Sequence, residues 1–261
     1  MQTKRILVTS GAGGVGKSSV AAHLASALAE RGARVLLADL CTTGRSLDLL
    51  VACAPSLLYD IGDLLGSRID ASRVAVPLKE RDGLFLLPGA FKFERTPTLP
   101  ELLRAIRVAE EAIGAEYTVF DSHFGTLALR AASVSDLTLI VTDTTPASLR
   151  AAAEAALSLP TATEGKLVVN RFPCYPRVKS RIPSVLPWLN EIRLPLIAIL
   201  PDSLTVAESE AAGDGISLKK DNLSRAYRSL AARIAGENAP LCLTFKKLKI
   251  KRRRLIKSLI G

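Results

Sequence analysis

Gly11-Ala12-Gly13-Gly14-Val15-Gly16-Lys17-Ser18, close to the start of the chain, has the spacing G-x-x-x-x-G-K-[ST]. Glycines at these intervals let the backbone curl until successive N–H groups converge. The start of a following helix adds its own exposed amides, so the loop can cradle phosphate oxygens. Lys17 is then placed to reach β- and γ-phosphates, and the Ser18 hydroxyl to ligate Mg²⁺. Gly11, Gly13, Gly14, Val15, Gly16, Lys17 and Ser18 are therefore candidate nucleotide contacts. A Gly-rich turn without a ligand would need no such lysine and serine, nor a position between an apolar run and an Ala-rich one.

Phosphate chemistry with Mg²⁺ calls for acids at the ends of neighbouring strands. Asp121 closes the run Tyr117-Thr118-Val119-Phe120-Asp121 and is followed by Gly125, whose amide could sense a γ-phosphate. Asp39 closes the run 35–39 in the same way. Both are candidate magnesium residues and, with Lys17, candidate catalytic residues. A carboxylate at a strand end also serves turns and helix caps, and that alternative stays open for each.

These residues need a frame. Short β-branched or Leu-rich runs at 5–9, 35–39, 84–87, 117–121, 137–142, 166–170 and 197–200 read as strands. Between them, 17–31, 100–114, 146–157, 180–189 and 222–235 read as helices, the fourth weakened by Pro183 and Pro187. Near-continuous apolar strands such as 137–142 imply a sheet buried on both faces. The expected fold is a doubly wound, mostly parallel α/β sheet of the P-loop type, occupying 1–239 as one domain, with an appendage over 240–261. No apolar stretch approaches the length of a membrane-spanning helix. The run 6–8 after Lys4 and Arg5 is too short for an export signal. Cys41, Cys53, Cys174 and Cys242 show no paired spacing, which suits reduced thiols and excludes a cysteine metal cluster.

Taken together, these stretches resemble the MinD/ParA family of P-loop ATPases, most closely its MinD branch. The matching pieces run from Ile6 through Ser18, then Arg45-Ser46-Leu47-Asp48, Tyr59-Asp60, Leu86-Leu87-Pro88, Phe120-Asp121-Ser122 with Gly125, Asn170-Arg171 and Leu200-Pro201-Asp202. The resemblance implies ATP or ADP with Mg²⁺ as ligands. It also implies Ser19 at the α-phosphate, and Asn170, Arg171, Pro201 and Asp202 around the adenine. The departures matter equally. Ala12 stands where the family carries a signature lysine that reaches across an ATP-bound dimer. Cys41 stands where it carries an acid that positions water. His123 and Phe124 replace a proline after the Asp-Ser pair. The resemblance therefore implies nucleotide binding with slowed hydrolysis, Cys41 being a small apolar filler and His123 a surface or packing residue. Arg45 and His123 are the residues that could substitute for the missing groups.

Charge is concentrated at the other end. Residues 246–261 hold eight Lys and Arg and no acid, leaving 27 basic against 25 acidic residues elsewhere. On a helix, Phe245, Leu248, Leu255, Ile256, Leu259 and Ile260 share a stripe about 140° wide, with cations opposite. Lys249 and Arg252 intrude near it, and Ile250 falls outside. Such a helix suits an anionic membrane surface; a nucleic-acid arm or a solvated end are the alternatives, and the stripe favours the membrane. With the resemblance, the reading is a membrane-associated nucleotide switch in division-site placement, cytoplasmic and peripheral on the inner face of the cell membrane. It would form a nucleotide-dependent homodimer and meet a division-inhibitor-type protein. Flagellar-number regulators, DNA-segregation ATPases and a non-hydrolysing scaffold are the competing readings.

Overall fold

The computed structural model describes residues 2–41, 46–54, 57–66, 69–70, 73–78, 81–91, 95–173 and 186–241. Its core is an eight-stranded sheet in the order β3-β4-β2-β5-β1-β6-β7-β8. The strands are β1 (Lys4–Thr9), β2 (Val35–Asp39), β3 (Val76–Pro77), β4 (Leu84–Leu87), β5 (Tyr117–Asp121), β6 (Leu137–Thr142), β7 (Gly165–Phe172) and β8 (Leu196–Pro201). All neighbours are parallel except β3, which runs antiparallel to β4 at the edge. An edge is where Pro77 can sit, since it has no N–H to give to a ladder.

Both faces of the sheet are covered, as the continuous apolar strands require. Ile6, Val8, Val35, Leu37, Val119, Leu139 and Val141 point to one side, against α1 (Lys17–Ala29) and α9 (Asn222–Ile234). Leu7, Leu36, Ala38 and Phe120 point to the other, against α3 (Ile61–Leu65), α4 (Leu99–Ile113) and α5 (Thr126–Ala132). Ile140, Leu167 and Val169 continue that layer under α6 (Pro146–Leu157) and α7 (Leu186–Ile192). Two further helices, α2 (Leu47–Leu50) and α8 (Leu204–Ala212), complete the set among the described residues. Capping follows the sequence: Thr98 and Glu101 form a capping box on α4, and Asp221 accepts from Ser224 N at the start of α9. Each satisfies N–H groups that a helix start leaves orphaned.

Every expected strand is present, four with the bounds read from sequence and the others longer by one to three residues. The helix expected at 180–189 needs correction. The described helix is Leu186–Ile192, and 174–185 lie outside the described residues. Pro187 falls in its first turn, where a missing N–H costs nothing, so the proline marks the start of the helix and not a flaw within it. The short α2, α3 and α5, the helix α8 and the two-residue β3 were not anticipated, their periodicity being too brief or too weak to read. The expected membrane-facing residues Phe245, Leu248, Leu255, Ile256, Leu259 and Ile260 lie outside the described residues, as does Arg45. Among the described residues, no helix is long and apolar enough to cross a membrane.

One partly buried ion pair ties the sheet to its helical layer. Glu110 of α4 is 5% exposed and receives Arg5 in a two-point contact at 2.8 and 2.6 Å, and Thr118 Oγ1 at 2.8 Å. Removing one partner of such a pair strands a buried charge. Glu110→Ala should lower the free energy of unfolding by about 3 kcal/mol, with Thr118→Val costing about 1 kcal/mol. Urea denaturation of the two variants checks this; equal small losses would mean that the pair is solvated.

Candidate functional site

The phosphate loop leaves the carboxyl end of β1, which lies between β5 and β6. Strand order reverses about β1, since the chain crosses from it to β2 on one side and later to β6 on the other. Clefts at the carboxyl ends of strands at such a reversal are where open α/β sheets bind ligands. Gly16 caps α1 in the left-handed conformation, φ 84°, and a Cβ there would lie 2.5 Å from Asn170 Nδ2. A Cβ on Gly11 would lie 2.1 Å from the Ala151 carbonyl oxygen. Only glycine fits either position. The first turn of α1 has no acid and no side-chain cap, which leaves its amides available to an anion.

Register brings the acids together. Asp39 and Asp121 are direct partners across the β2–β5 ladder, and Asp121 pairs with Val8 of β1. Both carboxylates are buried. Lys17, 5% exposed, sends its ammonium to Asp121 Oδ1 at 2.5 Å, to Ser18 Oγ at 3.1 Å and to Cys41 Sγ at 3.4 Å. Asp39 Oδ1 accepts from the Cys41 amide at 2.9 Å, and its Oδ2 is buried without a hydrogen-bond partner. Ligand atoms of Asp39, Cys41 and Asp121 all lie within 4.8 Å of one another. Two carboxylates therefore share one ammonium.

That imbalance sets the protonation chemistry. Burial, reinforced by the Asp121 carboxylate, pushes Asp39 up to about 6. Burial pushes the Cys41 thiol far above its ordinary range, with Asp121 and Asp39 adding to the effect, so it stays protonated. Burial opposes the charge on Lys17, but the Asp121 attraction outweighs it and holds the lysine above its usual value. The residues fit Mg²⁺. An orphaned carboxylate oxygen, a second carboxylate and the Ser18 hydroxyl are hard oxygen donors of the kind that ion takes, whereas the thiol is too soft for it.

The adenine candidates gather beside the loop. The β7–β8 ladder shifts register between Val169 and Phe172, so Asn170 and Arg171 sit in an irregularity, Arg171 at φ 50°. Such bulges re-aim side chains. Here they aim at the loop: Asn170 Nδ2 donates to Val15 O at 2.9 Å and Arg171 Nη1 to Gly14 O at 2.7 Å. Pro201 ends β8 in register with Phe172, and the Asp202 amide donates to Phe172 O at 2.9 Å, so both stand at the same end of the sheet. Ser19 is one turn from His23, whose Nδ1 lies 2.9 Å from Ser19 O. Ala12 packs partly buried against the core, and its carbonyl accepts from Ser10 Oγ. His123 is exposed.

Two contributions were not legible beforehand. Cys41 is buried as a filler would be, yet it also touches Lys17 and organises Asp39. Gly89, just after the Leu86-Leu87-Pro88 match, passes so close that a Cβ would be 3.0 Å from the Asp39 carboxyl carbon. The adjacent match was the only pointer to it.

Comparison with known proteins agrees with this geometry. The model of the CobQ/CobB/MinD/ParA nucleotide binding domain matches residues 6–216. The septum site-determining protein MinD of Bacillus subtilis (strain 168) is 30% identical over 244 residues, 90% of each chain. That of Neisseria meningitidis serogroup B is 26% identical over 274 residues, 99% of each chain. Among solved structures, the MinC:MinD cell division protein complex of Aquifex aeolicus superposes with a TM-score of 0.81 at 27% identity, covering 92% of this chain and 98% of that one.

The elevated Asp39 has a measurable consequence in nucleotide-free, chelator-treated protein. Between roughly pH 4 and 6 the native state keeps a proton that the unfolded chain has released. Stability therefore falls as pH rises through that window, by roughly 2–3 kcal/mol from this group, and levels off above it. Asp39→Asn should remove that part of the slope in urea titrations run from pH 4 to 7. Identical slopes in the two proteins would show that Asp39 ionises normally.

Proposed function

The chain belongs to the CobQ/CobB/MinD/ParA nucleotide-binding family, and on that premise we propose that it is a MinD-like, ATP-binding switch that docks on a membrane surface and hydrolyses ATP slowly. The observation behind the nucleotide half is the placement of Lys17 at the head of α1, beside Ser18 and against the register-paired Asp39 and Asp121. In this reading Lys17 exchanges Asp121 for phosphate oxygens. Asp39, Asp121 and Ser18 hold Mg²⁺, which would neutralise charge on the β- and γ-phosphates. The loop amides, braced from behind by Asn170 and Arg171, bind the phosphates in the ground state.

Two residues support slow turnover. Ala12 offers no cation to a partner's phosphates. Cys41 brings a protonated thiol to the place where the family has a carboxylate, and a thiol is a weak acceptor for an attacking water. Loss of one preorganised charge-stabilising group costs about a hundredfold in rate. These same residues favour a second reading, a scaffold that signals by nucleotide occupancy alone.

The membrane half rests on residues 243–261, where, read as a helix, six of the eight cations lie opposite an apolar stripe and Lys249 and Arg252 intrude on it. Cations and apolar side chains both contribute at an anionic interface, and two tails on a nucleotide-bound dimer would gain by effective concentration. Septum site determination, named for the relatives, and a MinC-type partner, named in the Aquifex complex, complete the proposal: a division-site switch on the inner face of the cell membrane. The near-neutral body offers little to DNA.

Sedimentation with anionic liposomes tests the switch. The protein should pellet with ATP and Mg²⁺, and Lys17→Ala or Leu255→Glu with Leu259→Glu should leave it in the supernatant. Pelleting that ignores nucleotide, or that only salt and not the glutamates releases, would reduce the tail to an electrostatic arm. Steady-state phosphate release tests the chemistry. Ala12→Lys with Cys41→Asp should raise turnover on the order of a hundredfold; fast, lipid-stimulated release by the unmodified protein would overturn the slow-hydrolysis reading.

A further inference from the structure

Cys41 follows Asp39 by two residues, and the β2–β5 register sets Asp39 beside Asp121. One ligand atom from each of the three lies within 4.8 Å of the other two, and all three side chains are buried. Cys41 Sγ is 3.8 Å from Asp121 Oδ2. A tetrahedral ion with bonds of about 2.3 Å to sulfur and about 2.0 Å to oxygen holds such atoms about 3.5 Å apart. Little movement is needed to bring them onto one ion. Two features mark a cation position. Asp39 is 1% exposed, its Oδ1 is held by the Cys41 amide at 2.9 Å, and its Oδ2 has no hydrogen-bond partner. The Lys17 ammonium already touches the other two, 2.5 Å from Asp121 Oδ1 and 3.4 Å from Cys41 Sγ, with Ser18 Oγ at 3.1 Å.

We propose that Asp39, Cys41 and Asp121 bind a borderline-soft divalent cation of the Zn²⁺ type, which takes the place of the Lys17 ammonium. The sulfur decides the class of ion. Mg²⁺ and Ca²⁺ bind oxygen and leave a thiol unused, whereas Zn²⁺ and Co²⁺ accept sulfur and carboxylate together. Three protein ligands leave a fourth position for water or the Ser18 hydroxyl, an open shell and not a closed structural one. On binding, the metal–sulfur bond forms and the S–H bond breaks. The proton passes to solvent and no electron is transferred. Lys17 leaves Asp121 on its flexible stem. The ion needs no phosphate, so its site stands independently of the nucleotide reading. In that reading Mg²⁺ takes the same two acids and leaves Cys41 aside.

Cobalt titration of the full chain, chelator-treated, kept reduced with a phosphine and free of nucleotide, tests the site. Co²⁺ should give a thiolate-to-metal charge-transfer band in the near ultraviolet that saturates at one ion per chain. Cys41→Ser should abolish the band. Asp39→Asn should weaken binding about tenfold or more, since even the residues behind a metal's ligands cost that much. Equimolar Zn²⁺ should bleach the band, and millimolar Mg²⁺ should leave it. Lys17→Ala, the variant that loses nucleotide, should bind Co²⁺ about tenfold more tightly, because no ammonium competes. Absence of the band at millimolar Co²⁺, or a band unchanged in Cys41→Ser, would overturn the proposal. Displacement by Mg²⁺ as readily as by Zn²⁺, or binding no tighter in Lys17→Ala, would overturn it too. Should Lys17→Ala fail to fold, Cys41→Ser and Asp39→Asn decide alone.

Discussion

Asp39 and Asp121 are held side by side in a buried place where two negative charges repel, and a single ammonium from Lys17 offsets them. Neither carboxylate can move away, because each ends a strand whose ladder fixes its position. Burial and the neighbouring Asp121 raise the proton affinity of Asp39, and its Oδ2 is left without a hydrogen-bond partner. A divalent cation would supply what is missing on both counts.

The rest of the molecule keeps that cluster in place. β1 in the middle of the sheet delivers the loop between two covered faces, and α1, buried along nearly its whole length, fixes Lys17 and Ser18 relative to the strands. From the far side, the irregularity in β7 turns Asn170 and Arg171 onto the loop carbonyls. With its carbonyls engaged outward, the loop keeps its amides free for phosphate. These two residues thus have a structural task, whatever they do for a base. The left-handed backbone of Arg171, which costs on the order of 1 kcal/mol, is part of that arrangement.

The same geometry shows what Ala12 and Cys41 change. On the proposed reading, ground-state binding would use backbone amides, Lys17 and oxygen ligands, all of them present. In the proposed mechanism, charge stabilisation along the reaction coordinate would draw on a cation from a partner and an acceptor for water, and at those positions this chain has a methyl group packed against the core and a protonated thiol. In that reading binding and turnover are separable, because they would draw on different atoms.

The phosphate loop, the strands and the doubly wound class were legible in the sequence because each is local: glycine spacing, apolar runs and their alternation with helical segments are written in consecutive residues. The type and strand-end position of Asp39 and Asp121 were legible for the same reason. Their contact was not, because it comes from register between strands about 80 residues apart, where a slip of one residue would turn a side chain to the other face. Nor were the proximity of Gly89 to Asp39 or the turn of Asn170 toward Val15. Each is a relation between elements distant in sequence, and packing alone decides which polar groups are left facing one another once the core has closed.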